Sequence, residues 1–318
     1  MYHVVTLTLN PAIDKSTRVS QLVPEQKLRC EPPKTEPGGG GINVARGLRR
    51  LGLAAPALFV AGGPSGEVLR QLVLSEGLTP LVVPTAAWTR ENFSVVDASC
   101  NQQYRFGMPG TTLTPDEQAL VLSTLAELTP APDVLVVSGS LPQGVAPSFM
   151  GDIARWARQA GVKLIVDTSE QALQSAVAEG VYLLKPNLGE LCRLAGTDSL
   201  DSESAGAAAR AIIAAGKCEV VVVSLGANGA CLVTADGTEH IAAPAVKKQS
   251  TVGAGDSMVA GMVYALSQGR PVREAVRLGV ACGTAATMNS GTELFQPADA
   301  ERLFQWLLQT MPQPALVS

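Results

Sequence analysis

Short aliphatic runs that alternate with helix-like segments constrain the fold of this chain more than any other feature. Six runs have the length of strands and are mostly apolar: residues 4–9, 57–61, 134–137, 164–166, 181–184 and 220–223. Continuous apolar character is typical of parallel strands, because helices cover both faces of a parallel sheet. The alternation therefore predicts an α/β fold with a doubly wound, mainly parallel sheet flanked by helices.

Helix signals lie between and after these runs. Residues 42–51 and 147–160 are amphipathic, and each segment is followed by a glycine. Thr114 has the spacing of a capping box, with Pro115 at the first helical position. After Asp256 the pattern is mainly helical. A helix from about residue 258 to residue 266 is expected to follow Asp256 directly.

Two segments break the alternation, residues 13–36 and 88–108. Both are polar, strand-like and flanked by prolines. Residues 92–98 and 103–106 have the pattern of a hairpin. We expect the two segments to pair as a small β-sheet lid whose exposed face acts as a dimer clasp. The core would then comprise residues 1–12, 37–87 and 109–318, and the alternative is that both segments are surface loops.

Composition and charge exclude several classes of protein. The chain is 46% hydrophobic and 16% charged, with a net charge of -4, which favours a globular protein without a nucleic-acid or membrane partner. Its start lacks the features of a signal peptide. The six cysteines have neither zinc-site nor C-x-x-C spacing, so reduced thiols in a cytoplasmic protein are expected. With two histidines, histidine triads and multi-histidine metal sites are nearly excluded.

A run of four glycines opens the first helix, ahead of Asn43. Glycine lets a backbone approach a ligand closely, and a helix start supplies N–H donors. Asn43 would present its amide to hydroxyl groups at that helix end. A dinucleotide-binding fingerprint fits poorly, because Pro33 and Pro37 precede the glycines where a central strand would be required. The remaining alternative is a flexible turn.

A second glycine motif, residues 250–257, precedes the late helix. Gly253, Ala254 and Gly255 would place backbone N–H groups at the helix start, which is a suitable anion hole for a transferring phosphoryl group. Asp256 lies at the mouth of this hole as a candidate base. We expect the helix dipole to keep its carboxylate ionised, and therefore weakly basic at rest. The alternative is that Asp256 only caps the helix.

Two further motifs follow apolar strands. Lys185 directly follows the run 181–184, where the carboxyl end of a parallel strand would carry it to a ligand. Asn187 and Glu190 offer the oxygen ligands that Mg²⁺ prefers, although Asn187 is equally suited to be a helix cap. Ser224 begins a glycine-containing loop after the run 220–223, and the chain contains no P-loop sequence.

The lid segments contain several positively charged residues, including Arg90, Arg105, Lys27 and Arg29. Arginine is well suited to bind a terminal phosphate. Plain surface charge is the alternative for each of them taken singly.

In order and spacing, residues 38–46, residues 251–256 and the Lys185-Pro186-Asn187-x-x-Glu190 segment resemble the signatures of the phosphofructokinase B (ribokinase-like) family of carbohydrate kinases. The resemblance extends over nearly the whole chain. It implies a ribokinase-like fold with a β-sheet lid. It also implies phosphoryl transfer from ATP to a sugar phosphate in a homodimer.

The resemblance further implies a set of site residues. It implies that Asp256 is the base and that Gly253, Ala254 and Gly255 form the anion hole. The implied sugar-binding positions are Asp14, Gly39, Gly40, Asn43, Arg90, Arg105 and Ser140. The implied ATP-binding positions are Lys185, Asn187, Ser224, Gly226, Gly229, Thr251, Val280 and Thr284. Asn187 and Glu190 would organise Mg²⁺ through water, and backbone carbonyls would ring K⁺ near Ser250, Val252, Ala286, Asn289 and Gly291.

The resemblance favours fructose 6-phosphate as the acceptor. Relatives that act on fructose 1-phosphate or tagatose 6-phosphate typically carry lysine in the glycine run, where this chain has Gly40. Those two substrates remain alternatives. A non-catalytic sugar- or nucleotide-binding regulator is an alternative of a different class, although binding alone would not need Asp256. A dinucleotide-dependent oxidoreductase is a further alternative function.

Overall fold

The structure is a computed structural model that describes residues 3–110, 112–289, 291 and 293–310. Its strands are β1 (Val4–Thr8), β2 (Ala12–Val19), β3 (Lys34–Gly38), β4 (Ala57–Ala61), β5 (Pro80–Pro84), β6 (Arg90–Asp97), β7 (Gln102–Phe106), β8 (Val134–Ser138), β9 (Lys163–Asp167), β10 (Val181–Leu184), β11 (Cys218–Ser224), β12 (Ala230–Thr234) and β13 (Gly237–Ile241). Its helices are α1 (Gly40–Arg50), α2 (Gly63–Ser75), α3 (Pro115–Glu127), α4 (Ser148–Gln159), α5 (Glu170–Glu179), α6 (Leu188–Ala195), α7 (Ser202–Ala214), α8 (Ala254–Ser267), α9 (Val272–Ala286) and α10 (Pro297–Thr310).

Within the described residues, nine strands form one large sheet in the order β13-β12-β11-β10-β9-β8-β1-β4-β5. The strands from β11 to β5 pair in parallel, and β12 and β13 add an antiparallel edge. Strands β4 and β5 are added on one side of β1. Strands β8 to β13 are then added in sequence order on its other side. The strand order therefore reverses between β1 and β8, where α/β sheets form binding crevices. The predicted doubly wound, mainly parallel fold is confirmed.

Helices cover both faces of this sheet. Helices α1, α8, α9 and α10 bury one apolar cluster, which includes Leu48 and Phe304. Helices α3 to α7 bury the other, which includes Phe149 and Leu173. The central strands β1, β4 and β8 are buried throughout, which explains their unbroken apolar sequences. The capping box predicted at Thr114 is present at the start of α3.

Some elements differ from the sequence-based expectation. Strands β5, β12 and β13 lie outside the predicted set. Strand β5 tolerates Pro80 and Pro84 because it is an edge strand, and β13 is a largely polar edge strand. The helix expected to begin near Met258 begins at Ala254 instead, because Gly253 adopts a left-handed conformation (φ 74°) that starts it earlier. Asp256 therefore lies inside the first turn of α8.

In the part of the chain that the structure describes, four strands form a separate small sheet, the lid sheet, in the order β3-β2-β6-β7. The expected hairpin is present as the antiparallel pair of β6 and β7. On one face of that pair, Phe93 lies opposite Phe106 and Val95 lies opposite Tyr104. The three aromatic side chains on this face are each at least 40% exposed. The division of the chain into core and lid residues remains a prediction.

No helix in the described part of the chain is long and apolar enough to cross a membrane.

Candidate active site

Polar residues stand at the carboxyl ends of four adjacent parallel strands. Ser138 ends β8, Asp167 ends β9, Lys185 follows β10 and Ser224 ends β11. Because these strands are neighbours in the sheet, their ends form a continuous polar edge. The site is built on this edge, as expected for an open α/β sheet.

Asp256 reaches this edge from the first turn of α8. Asn43 Nδ2 of α1 donates a 3.0 Å hydrogen bond to Asp256 Oδ2, and Ser138 Oγ donates a 3.1 Å bond to Asp256 Oδ1. Asn43 and Asp256 are 213 positions apart in the sequence. The fold thus brings the early glycine run and the late glycine motif to one point, with a carboxylate between them.

The environment of this carboxylate raises its pKa. Burial raises the pKa of Asp256 to about 6, and the nearby negative charge of Asp167 adds to the rise. The hydrogen bond from Asn43, the positive charge of Lys185 and the hydrogen bond from Ser138 oppose it. The expectation that the helix dipole keeps Asp256 weakly basic is therefore corrected. A carboxylate with a pKa near neutrality is still largely ionised at pH 7 and is a better proton acceptor than an exposed aspartate.

Lys185 is buried beside the start of α8. Its Nζ lies 3.0 Å from Asp167 Oδ1. Burial alone would lower the pKa of Lys185, but the Asp167 carboxylate raises it overall, so the ammonium stays charged. A Cβ placed on Gly255 would lie 3.6 Å from this Nζ. The charged ammonium of Lys185 therefore lies next to the first turn of α8. The N–H groups of that turn have no hydrogen-bond partners within the helix.

The early glycines allow close approach of backbone and side chains. Gly39 caps α1 with a φ of 117°. A Cβ on Gly40 would overlap Ser138 Oγ and would lie 2.7 Å from Gly139 N, and a Cβ on Gly38 would overlap the carboxylate of Asp14. This segment is therefore closely packed against site residues, which argues against the alternative of a flexible turn.

A second polar group lies next to the glycine run, where the core meets the lid sheet. Asp14 of β2 accepts a 2.9 Å hydrogen bond from Asn92 Nδ2, and burial raises the pKa of Asp14. Arg90, at the start of β6, donates to Asn10 O at 3.0 Å. Asn10 Nδ2 in turn donates to Ser140 Oγ at 3.0 Å.

These contacts place Asp14, Arg90 and Ser140 in one neighbourhood with the glycine run. Arg105 is different. It lies on β7, the outer strand of the lid sheet, and it is exposed. Within the described chain, no hydrogen bond or ion pair joins its side chain to that neighbourhood.

A cavity of about 500 Å³ adjoins the start of α8. It brings together six of the residues expected to bind ATP, namely Ser224, Gly226, Gly229, Thr251, Val280 and Thr284. Small and apolar side chains complete much of its wall, among them Ala243, Pro244, Val246 and Met258. Gly255 also lines the cavity, so the cavity opens onto the start of α8.

Asn187 and Glu190 form a reciprocal capping box at the start of α6. Asn187 Oδ1 accepts from Glu190 N, and Glu190 Oε2 accepts from Asn187 N, both at 2.9 Å. Asn187 therefore does cap helix α6, as the alternative interpretation of this residue proposed. No group of three metal-ligating side chains occurs among the described residues. An oxygen-only set with few protein ligands fits Mg²⁺, which keeps several waters and binds substrate phosphates.

The residues expected to ring a monovalent cation lie on the loop ahead of α8, at the end of α9 and in the segment that follows α9. Ser250 Oγ donates to Gly291 O at 2.8 Å, and Val252 N donates to Ser250 Oγ at 3.2 Å. Ala286 ends α9 and Asn289 lies in the turn that follows, where Asn289 N donates to Ala286 O at 3.2 Å. The fold thus gathers all five residues just ahead of α8.

Several residues of this site were not among the predicted ones. Ser138 and Asp167 flank Asp256, while Asn10 and Asn92 hold Ser140 and Asp14. The one signal in the sequence was their position, since Ser138 and Asp167 are polar residues at the ends of apolar runs. Their convergence on Asp256 depends on the order of strands in the sheet.

Comparisons with known proteins agree with this geometry. The pfkB family of carbohydrate kinases matches residues 4–299. ATP-dependent 6-phosphofructokinase isozyme 2 of Escherichia coli (strain K12) is 42% identical over 308 residues, which cover 96% of this chain and 99% of that protein. The 1-phosphofructokinase of Rhodobacter capsulatus is 33% identical, over 92% of this chain and 93% of that protein.

Solved structures of phosphofructokinase-2 from Escherichia coli have the same fold. A complex with potassium has a TM-score of 0.92 at 42% identity, and a complex with fructose-6-phosphate has a TM-score of 0.90 at 40% identity. A tetrameric inhibited form has a TM-score of 0.90 at 41% identity. Each match covers 96% of this chain and 99% of the other.

Proposed function

The chain belongs to the pfkB family of carbohydrate kinases, and from this premise we propose that it transfers the γ-phosphoryl group of ATP to the 1-hydroxyl of fructose 6-phosphate. One observation carries the proposal. The Asp256 carboxylate lies at the start of α8, hydrogen-bonded to Asn43 of the early glycine run and beside the cavity that Gly255 lines. The proposal thus puts a base, an anion hole and two substrate sites next to one another.

In this mechanism Asp256 accepts the proton of the attacking hydroxyl. Its raised pKa of about 6 leaves it largely ionised at neutral pH and suited to take a proton as the new bond forms. The hydrogen bonds from Asn43 Nδ2 and Ser138 Oγ fix the orientation of the carboxylate. Positioning of this kind contributes most in phosphoryl transfer, which involves little covalent chemistry by the protein.

The start of α8 also stabilises the charge of the transferring group. Backbone N–H groups of Gly253, Ala254 and Gly255 at the start of α8 form the anion hole, with the favourable end of the helix dipole behind them. Of these, the Ala254 N–H also makes a long 3.4 Å hydrogen bond to Thr251 O. Lys185 adds a charged ammonium next to Gly255, held in place by its ion pair with Asp167. ATP occupies the neighbouring cavity, with its phosphates toward α8.

The sugar phosphate lies between the glycine run and the lid sheet. Asp14, Gly39 and Asn43 bind its hydroxyls, and Arg90 and Ser140 lie toward its phosphate end. Gly40 lies against Ser138, and any side chain there would displace the hydroxyl that holds Asp256.

Two metal sites complete the proposal. Asn187 and Glu190 would organise Mg²⁺ through water, and the ion would neutralise charge on the ATP phosphates. K⁺ would bind among the backbone carbonyls near Ser250 and Gly291, just ahead of the anion hole. A bound ion there would hold the loop that leads into α8.

We also propose that the protein is a cytoplasmic homodimer assembled through the lid sheet. The exposed face formed by Phe93, Tyr104 and Phe106 is apolar and would be covered by the same face of a second copy. The six cysteines are free thiols, as is typical of the cytoplasm.

Coupled assays of the purified protein on fructose 6-phosphate, fructose 1-phosphate and tagatose 6-phosphate test the function. We expect turnover of fructose 6-phosphate with the highest kcat/KM, and NMR of the product should show the new phosphate on carbon 1. A preference for fructose 1-phosphate or tagatose 6-phosphate would reassign the substrate within the family. Absence of turnover with all three would contradict the proposed function.

A further inference from the structure

Arg46 is a buried charge next to the active site that the proposed mechanism does not use. It lies one turn after Asn43 on α1, and only 2% of its side chain is exposed. Its Nη1 donates a 3.3 Å hydrogen bond to Asn43 Oδ1. The same Asn43 amide donates through Nδ2 to Asp256. Asn43 therefore connects the guanidinium of Arg46 to the base.

This arrangement determines which way the Asn43 amide points. Arginine can only donate hydrogen bonds, and it remains protonated in proteins. It therefore requires the amide oxygen of Asn43 on its own side, which leaves the amide NH₂ group facing Asp256. A reversed amide would place its oxygen against the Asp256 carboxylate and its NH₂ group against a cation, and both contacts would be unfavourable.

Two carboxylates hold Arg46 itself in place. Its Nη2 lies 2.9 Å from Glu36 Oε1 and 2.7 Å from Glu76 Oε1. Glu36 belongs to strand β3 of the lid sheet, directly opposite Asp14 on β2. Glu76 follows the end of α2. The ion pair with Glu36 thus connects α1, which carries Arg46 and Asn43, to strand β3 beside the proposed sugar site.

We propose that Arg46 is a positioning residue for phosphoryl transfer, which fixes the orientation of the Asn43 amide and thereby links the placement of lid strand β3 to Asp256. This inference rests on the proposed function for its kinetic consequence. The hydrogen-bond geometry at Asn43 does not depend on the identity of the sugar.

The kinetic test compares Arg46→Met, Arg46→Lys and a matched control, Arg277→Met. Arg277 of α9 is also buried and paired with a glutamate, and in both arginines Nε has no hydrogen-bond partner within the described chain. We expect kcat to fall about 10- to 100-fold in R46M, because small displacements of a reacting group cost that much, with KM for ATP unchanged.

The conservative and control variants separate positioning from stability. R46K retains a charge for Glu36 and Glu76 but loses the planar fork, so its kcat should lie between those of the wild type and R46M. R277M should lower the midpoint of thermal unfolding with kcat within about twofold of the wild type. If kcat falls as much in R277M as in R46M, the positioning role is wrong. If R46M does not fold, R46K is compared with R277M in the same way.

A double-mutant cycle tests whether Arg46 acts through Asn43. In an Asn43→Ala background the additional R46K substitution should change kcat by less than about twofold, because the amide that it orients is gone. An undiminished loss of kcat in that background would overturn the proposed route through Asn43.

Side-chain NMR provides a readout without turnover. With asparagine labelled selectively, the Asn43 NH₂ resonance is assigned by its loss in Asn43→Ala. It should shift in both R46K and Asp256→Asn, and should not shift in R277M. An Asn43 resonance unmoved by R46K would contradict the inference. Failure of the wild type to phosphorylate any of the three sugar phosphates would instead contradict the proposed function. The NMR measurement would still show whether Arg46 contacts the Asn43 amide.

Discussion

At the proposed sugar end of the site, polar side chains from the core and the lid sheet hold one another through hydrogen bonds, whereas small apolar residues and glycines form much of the proposed nucleotide end. Asp14, Asn92, Asn10 and Arg90 each contact another residue of the sugar end. The proposed nucleotide cavity is lined by glycines, alanines and apolar side chains such as Val280, together with Ser224, Lys248 and three threonines.

This difference has a consequence for specificity. A buried polar group that loses its partner remains desolvated and unpaired, so a polar site can reject a wrong ligand strongly. An apolar wall discriminates by shape alone, and each methylene group changes binding only modestly. We therefore expect changes at the base and the sugar end to have large effects, and changes at the nucleotide end to have small ones.

Asp256→Asn should have the largest effect. The amide cannot accept the hydroxyl proton, so kcat should fall about 10²- to 10⁴-fold. Binding of both substrates, measured by calorimetry, should persist. A non-catalytic regulator would also bind both ligands, but its wild type would show no turnover. Unchanged kcat in D256N would show that Asp256 is not the base.

The same variant should not lose stability at pH 7. The pKa of Asp256 is about 6 in the folded protein, against 3.8 for an unperturbed aspartate, so ionisation is less favourable in the fold. The resulting destabilisation is absent below pH 3.8, grows between pH 3.8 and 6, and is complete above pH 6. The midpoint of thermal unfolding of D256N at pH 7 should therefore equal or exceed that of the wild type.

Arg90→Gln tests the sugar end directly. Loss of the guanidinium removes a charged donor near the expected phosphate, so KM for fructose 6-phosphate should rise about 10- to 100-fold while KM for ATP stays constant. Arg105→Gln is the comparison, since Arg105 is exposed on β7. An effect of R105Q comparable with that of R90Q would mean that Arg105 reaches the site of a second copy in the proposed dimer. A rise in KM for ATP in R90Q would remove the distinction between the two ends.

The predictable parts of the molecule are those with local signals. The central strands, the capping box at Thr114 and the glycine motifs follow from neighbouring residues in the sequence. Ser138 and Asp167 could not be assigned to the site in this way, because they meet Asp256 only through the order of β8 and β9 in the sheet. Arg46 has the sequence appearance of a surface charge, and only the fold shows that Glu36 and Glu76 surround it.

The pH dependence of kcat should report the carboxylate at the base. Below pH about 6 Asp256 is increasingly protonated, so kcat should fall about tenfold per pH unit and level off above pH 7. The substrate phosphate titrates in the same range, so a variant is needed to assign the effect. The Asn43 hydrogen bond lowers the pKa of Asp256, and Asn43→Ala should therefore move the midpoint to higher pH. An unshifted midpoint in N43A would assign the titration to another group.

Val280→Ala should have the smallest effect and is the sharpest test of the nucleotide end. Val280 lines the cavity from α9, and the substitution removes two methyl groups from an apolar wall. At about 0.8 kcal/mol per buried carbon, KM for ATP should rise about four- to fifteenfold, with KM for fructose 6-phosphate unchanged.

Val259→Ala is the matched control, because Val259 is a buried valine of α8 in the same apolar cluster as Val280 but is not among the residues that line the cavity. Both variants should lose stability, since each removes core contacts. Only V280A should weaken ATP binding. A rise in KM for ATP above a hundredfold in V280A would mean that the nucleotide end is as demanding as the sugar end. The contrast between polar pairing and apolar shape would then not explain how this site selects its substrates.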